Sequence, residues 1–208
     1  MVYKNLLYRL IFSILFFGIY YFASNHKYLL FAIVNIIYLL VLYEILVFFK
    51  KFMSIILFYI LLSYICFSIY FIFFFNNYLF NILVFSIILF DSFSFLSGIY
   101  FGKIFIFKKL SPKKTLEGYL GGFFLTNLSF LCFFYFTDLD INLITLLILI
   151  NLIVIFSIFG DLIESYFKRK NNIKDSSKFL PGHGGFFDRF DSFLASIILL
   201  FFIALINL

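Results

Sequence analysis

Apolar runs of about 20 residues, each closed by a short polar break, recur along the whole chain and leave it few ways to fold. A hydrocarbon layer about 30 Å thick is crossed by about 20 residues of helix. Runs of that size cover residues 7–24, 28–49, 52–75, 78–101, 119–137, 141–163 and 188–207, which predicts about seven transmembrane helices. The breaks are Asn25-His26-Lys27, Lys50-Lys51, Asn76-Asn77, residues 102–118, Asp138-Leu139-Asp140 and residues 164–187. With 65% hydrophobic and 12% charged residues, the 208-residue chain cannot cover a soluble domain with a polar shell. The expectation is an all-α, polytopic integral membrane protein, with residues 1–208 forming a single membrane-embedded domain. Lys4 and Arg9 lie at the start of the first run without a convincing small-residue cleavage site, so that run reads as a spanning helix. Cys66 and Cys132 lie singly inside spans, where they read as apolar packing.

The net charge of +6 would suit a nucleic-acid partner, but its distribution argues against one. With the N-terminus inside, fifteen of the sixteen basic residues fall on one side, and Lys27 alone falls on the other. That asymmetry follows the positive-inside rule and places both long loops, 102–118 and 160–192, in the cytoplasm. Outside the stretch 160–192, two acidic residues lie within spans. Glu44 stands near a helix end and reads as a residue that snorkels or pairs with Lys50 or Lys51. Asp91 is deeper, and an ionised carboxylate there needs a polar cavity or a partner. Ser94, Ser97 and Gly98 share its helix face and permit close packing.

The stretch from Gly160 to Ser192 concentrates charges, glycines and hydroxyls. Asp161, Asp175, Asp188 and Asp191 alternate with Lys168, Arg169, Lys174 and Arg189, and Pro181-Gly182-His183-Gly184-Gly185 interrupts them. Such a backbone cannot continue a helix and can approach a ligand closely. Carboxylates for a divalent ion, basic groups for phosphate and bare N–H donors are the parts of a phosphoryl- or nucleotidyl-transfer site. Asp161, Ser165 and Arg169 recur every four residues and align if their helix extends beyond the membrane. Glu164 and Lys168 form a separate pair on the flank that reads as structural. Asp188 is either a ligand or a helix N-cap, and His183 either meets phosphate, moves a proton or stabilises a turn. In the other loop, Ser111-Pro112-Lys113-Lys114-Thr115 either grips phosphate or anchors topology.

Four segments together carry a resemblance: Ser165-x-Phe167-Lys168-Arg169, Lys174-Asp175-x-Ser177, Pro181-x-His183-Gly184-Gly185 and Asp188-Arg189-x-Asp191. They resemble the signature of the phosphatidate cytidylyltransferase, or CDP-diacylglycerol synthase, family. The segment Ser111–Gly118 resembles a second family motif, which usually has an aromatic residue where this chain has Leu116. The run from Asp91 to Lys103 resembles a third. The motifs lie within residues 78–208, and residues 1–77 add nothing to the resemblance.

The resemblance implies transfer of CMP from CTP to phosphatidic acid, giving CDP-diacylglycerol and pyrophosphate in phospholipid biosynthesis. It implies a multi-pass protein of a bacterial inner membrane with its active site facing the cytoplasm. Catalytic roles fall to Asp161, Asp188, Asp191, Lys174 and His183, with Mg²⁺ on Asp161 and Asp188 and room for a second, monovalent cation. Substrate contacts fall to Ser165, Lys168, Arg169, Asp175, Gly184, Gly185, Arg189, Ser111, Lys113, Lys114, Thr115 and Asp91. The partners expected are CTP, phosphatidic acid and the lipid bilayer, with no nucleic acid and with a homodimer left open. Two other readings stay open at this point. One is a cytidylyltransferase for another lipid phosphate, such as an isoprenoid ether lipid. The other is a transporter or scaffold, although a transporter calls for polar residues or broken helices deep in several spans.

Overall fold

In lipid every backbone N–H and C=O must find its partner within the segment, so long apolar runs become helices. The computed structural model describes residues 18–112, 114–136, 142–177, 179 and 184–206. Among them α1 spans Lys27–Phe48, α2 Met53–Ile69 with a π-helical turn Tyr70–Phe74, and α3 Asn77–Phe101. Then come α4, Leu116–Phe136, α5, Leu143–Lys170, and α6, Phe187–Ile206. Six helices of the described residues are thus long and apolar enough to cross a membrane. Of the expected first span, residues 18–24 are described and are helical.

Local chemistry sets the ends. Asn76 caps α3 by accepting the N–H groups of Tyr78 and Leu79, and Asn142 caps α5 by accepting that of Ile144. Helix α4 begins at Leu116 rather than at the expected 119, because the Thr115 hydroxyl accepts the Gly118 N–H at 3.2 Å. Helix α5 runs on to Lys170, past the expected end at 163. Its last turn carries Lys168, Arg169 and Lys170, whose charges favour the negative end of the helix dipole.

Helix α6 lies at the centre, packed against α2, α3 and α5, with Leu194, Ile197 and Leu200 in the core. Helix α4 rests mainly on α3. There Gly118, Gly121 and Gly122 face Ser94 and Ser97, and a Cβ on Gly118 would stand 2.8 Å from the Ser94 carbonyl oxygen. The expected small-residue face of α3 is therefore a helix contact. Large apolar side chains such as Phe58, Phe124 and Phe202 point outward, as lipid requires.

The polar loops gather at one end. The Asn171 side chain accepts the N–H groups of Lys50 and Lys51 at 2.9 and 2.7 Å, joining the α1–α2 turn to the end of α5. The Arg169 Nε donates to the Leu110 carbonyl oxygen at 3.1 Å, adding the α3–α4 loop. At the opposite end Lys27 lies over the rings of Phe71 and Phe75, 5.8 and 5.3 Å from their centroids. Single cysteines at Lys109 and Lys174, both exposed, should therefore react with an impermeant maleimide from one side of sealed vesicles. A cysteine at exposed Asn25 should react only from the other. Labelling of all three from one side would overturn this arrangement.

Candidate active site

Two helix ends, the middle of a third helix and two loops converge where the basic loops meet. Helix α5 brings Asp161, Glu164, Ser165, Lys168 and Arg169, and the first turns of α6 bring Asp188, Arg189, Asp191 and Ser192. Helix α3 brings Asp91, and the loop before α4 brings Lys114. Gly160 permits the meeting of α5 and α6. A Cβ there would stand 2.9 Å from the Asp191 carbonyl carbon and 3.0 Å from the Ser192 Cα. The two backbones touch beside Asp161, which sets the Asp161 and Asp191 carboxyl groups within hydrogen-bonding reach of each other.

Each expected metal-binding aspartate faces an ammonium. Lys114 forms an ion pair with Asp161. Burial pulls the Lys114 ammonium towards a lower pKa, but the Asp161 carboxylate outweighs it and holds the group above the ordinary lysine value. Asp91 lies close enough to Asp161, Lys114 and Arg189 to feel their charges.

The second ion pair joins Lys168 Nζ to Asp188 at 3.0 Å and to Glu164 at 2.6 Å. The pairing of Glu164 with Lys168 is as expected, but its place on the flank is corrected. Glu164 is 2% exposed and reaches Asp188, because α5 turns this face towards α6. Asp188 is no N-cap: it sits inside the first turn of α6 and accepts N–H groups from Ser176 and Gly185, each at 2.9 Å. Gly184 has φ +83°, and a Cβ on it would collide with the Asp188 carboxylate. The bare backbone of Gly184 thus admits Asp188.

The remaining candidates divide by position. Arg169, Lys174, Asp175 and Arg189 are exposed, and Ser165 and Ser111 are half-buried. Thr115 is buried and caps α4. Lys113 and His183, with Pro181 and Gly182, lie outside the described residues.

Glu44 was expected to snorkel or to pair with Lys50 or Lys51, and the structure corrects this. It is fully buried and accepts four hydrogen bonds: from the Ser176 hydroxyl at 3.0 Å, the Ser177 hydroxyl at 2.6 Å, and the N–H groups of Phe186 and Phe187 at 2.8 and 2.9 Å. The sequence signal that pointed to it was the cost of a carboxylate in a span. Its partners, as far as 143 residues along the chain, carried no visible link to it.

Among the described residues no group of three or more His, Cys, Asp or Glu side chains forms a ready metal cage. Asp161 and Asp188 are of the donor type that Mg²⁺ takes, a hard cation that commonly binds one or two carboxylates and completes its shell with phosphate and water. The contacts that Asp161 and Asp188 make with Lys114 and Lys168 place each where positive charge is favoured.

A helical membrane bundle with a carboxylate-and-lysine cluster at one end defines a class: a polytopic membrane protein with a charged site at one end of its helices. The sequence pattern of the cytidylyltransferase family matches residues 2–207, and the chain belongs to that family. It is similar to the phosphatidate cytidylyltransferase of Staphylococcus aureus (strain COL), 44% identical over 101 residues. It is also similar to those of Staphylococcus haemolyticus, at 41%, and Staphylococcus saprophyticus, at 43%, over the same length. Each match covers 49% of this chain and 39% of the relative.

Proposed function

We propose that the protein transfers CMP from CTP to phosphatidic acid, releasing pyrophosphate and forming CDP-diacylglycerol for phospholipid synthesis. The carrying observation is the juxtaposition of Asp161–Lys114 and Asp188–Lys168 ion pairs at the membrane end of α5 and α6. The names of the relatives support the substrate pair. The basic asymmetry supports a cytoplasmic face, where CTP is available.

An oxygen of the lipid phosphate forms a bond to the α-phosphorus of CTP. The bond from that phosphorus to the oxygen bridging to the β-phosphate breaks, and pyrophosphate takes the electron pair. A phosphate monoester is already anionic at pH 7, so the barrier lies in bringing anion to anion rather than in removing a proton. Lys114, Lys168, Arg169 and Arg189 supply positive charge on both sides of the two aspartates. A Mg²⁺ ion held by Asp161 and Asp188 would neutralise the triphosphate and the charge that develops on pyrophosphate. The exposure of Lys174 supports a contact with nucleotide phosphates arriving from solution.

Membranes carrying the protein, incubated with Mg²⁺, radiolabelled CTP and phosphatidic acid, should form a lipid-soluble cytidine product. Omitting either phosphatidic acid or Mg²⁺ should remove it. A complete reaction without that product would end this reading.

A further inference from the structure

We infer that Glu44, on α1 and outside the motif-bearing part of the chain, is a positioning residue of the transfer site. It acts by clamping the neck of the α5–α6 loop. The inference rests on the proposed transfer reaction for its kinetic consequence, and on geometry for the clamp itself.

The Glu44 carboxylate is saturated. One oxygen accepts the Ser177 hydroxyl and the Phe186 N–H, and the other accepts the Ser176 hydroxyl and the Phe187 N–H. No arrangement of donors around it leaves it facing a substrate, so its role is exercised through the loop. The donors come from both sides of the loop: Ser176–Ser177 leave α5, and Phe186–Phe187 enter α6. Asp188 binds the same two segments, accepting the N–H groups of Ser176 and Gly185. Two carboxylates from different helices therefore grip one neck, and one of them is a proposed metal ligand.

Gly185 marks how tight the grip is. A Cβ there would stand 2.6 and 2.7 Å from the two Glu44 oxygens and would overlap the Ser176 hydroxyl. The second glycine of the pair is thus required by Glu44. A carboxylate at the start of α6 also suits the positive end of its helix dipole, so the charge itself contributes to the hold. Loosening the clamp lets Asp188 shift relative to Asp161 while leaving both side chains chemically intact.

Glu44→Gln keeps the shape but replaces one acceptor oxygen by an amide donor. A serine hydroxyl can turn to accept from that amide, whereas a backbone N–H cannot, so one N–H of the α6 start is orphaned. Two readouts on the full-length protein in micelles test this. Amide hydrogen exchange at Phe186 and Phe187 should accelerate by at least about 10-fold relative to the core of α6. With CTP, phosphatidic acid and Mg²⁺, kcat should fall roughly 10- to 100-fold, with KM for CTP within about twofold. Glu44→Asp, which keeps the charge, should recover part of the lost turnover. If Glu44→Gln is not monodisperse, Ser177→Ala removes one donor and is read in the same way. Unchanged exchange at Phe186 and Phe187 would overturn the clamp. Accelerated exchange with wild-type kcat would overturn the positioning role. If the unmutated protein itself turns over no phosphatidic acid, the reaction reading fails, and the exchange measurement still decides the clamp.

Discussion

Asp161→Asn is expected to lower turnover of CTP and phosphatidic acid roughly 100- to 1000-fold, the scale of losing one preorganised electrostatic contact. Asparagine fills the same space, so the bundle should still form. It removes the charge that Lys114 faces and leaves only a neutral amide oxygen where Mg²⁺ would meet a carboxylate. It also takes away a carboxyl group beside Asp191. The measurement is kcat across a Mg²⁺ titration, on protein shown to be monodisperse. Lys114→Met serves as the partner variant, and the double variant should lose less than the two single losses combined, because the residues act as a pair. Near-normal turnover in Asp161→Asn, with the wild-type Mg²⁺ dependence, would remove Asp161 from the metal site.

Gly160→Ala should strongly destabilise the bundle. The added carbon would meet the backbone of Asp191 and Ser192, and a helix backbone cannot swing aside as a side chain can. Overpacking in a core costs about 1–3 kcal/mol, and the rigidity of this contact puts the expected loss at the upper end of that range. Helix α6 must move away from α5, carrying Asp191 from Asp161 and Asp188 from Lys168. Thermal unfolding in micelles and turnover should fall together. By contrast, Gly18→Ala meets nothing within 4 Å among the described residues and should leave thermal unfolding unchanged. An unaltered unfolding temperature in Gly160→Ala would show that the two helices are not in backbone contact.

Much of the architecture was legible because a bilayer imposes a length on every span. Five of the described helices follow apolar runs to within a few residues, and α5 departs by continuing to Lys170. That departure follows from side chains: once the helix leaves hydrocarbon, the Glu164–Lys168 pair and the basic last turn sustain it. The alignment of Asp161, Ser165 and Arg169 needed only helix periodicity. The gathering of basic loops at one end needed only a consistent count of crossings, and contacts such as Arg169 to Leu110 bear it out.

What the sequence determined by itself was therefore periodic or local: the helices, their relative sidedness, the clustering of aspartates and lysines, and membership of a family through closely spaced motifs. The partners of those charges were a matter of tertiary structure. Helical spacing brought Glu164 to Lys168, but only the packing of α5 against α6 turned both towards Asp188. Nothing along the chain connected Glu44 to Ser176, 132 residues away. A carboxylate in a span must find donors, and its identity alone does not say whether they lie one turn on or in another loop. The choice was made by where α1 packs, because burial without those four donors would cost more free energy than the helix contact could return.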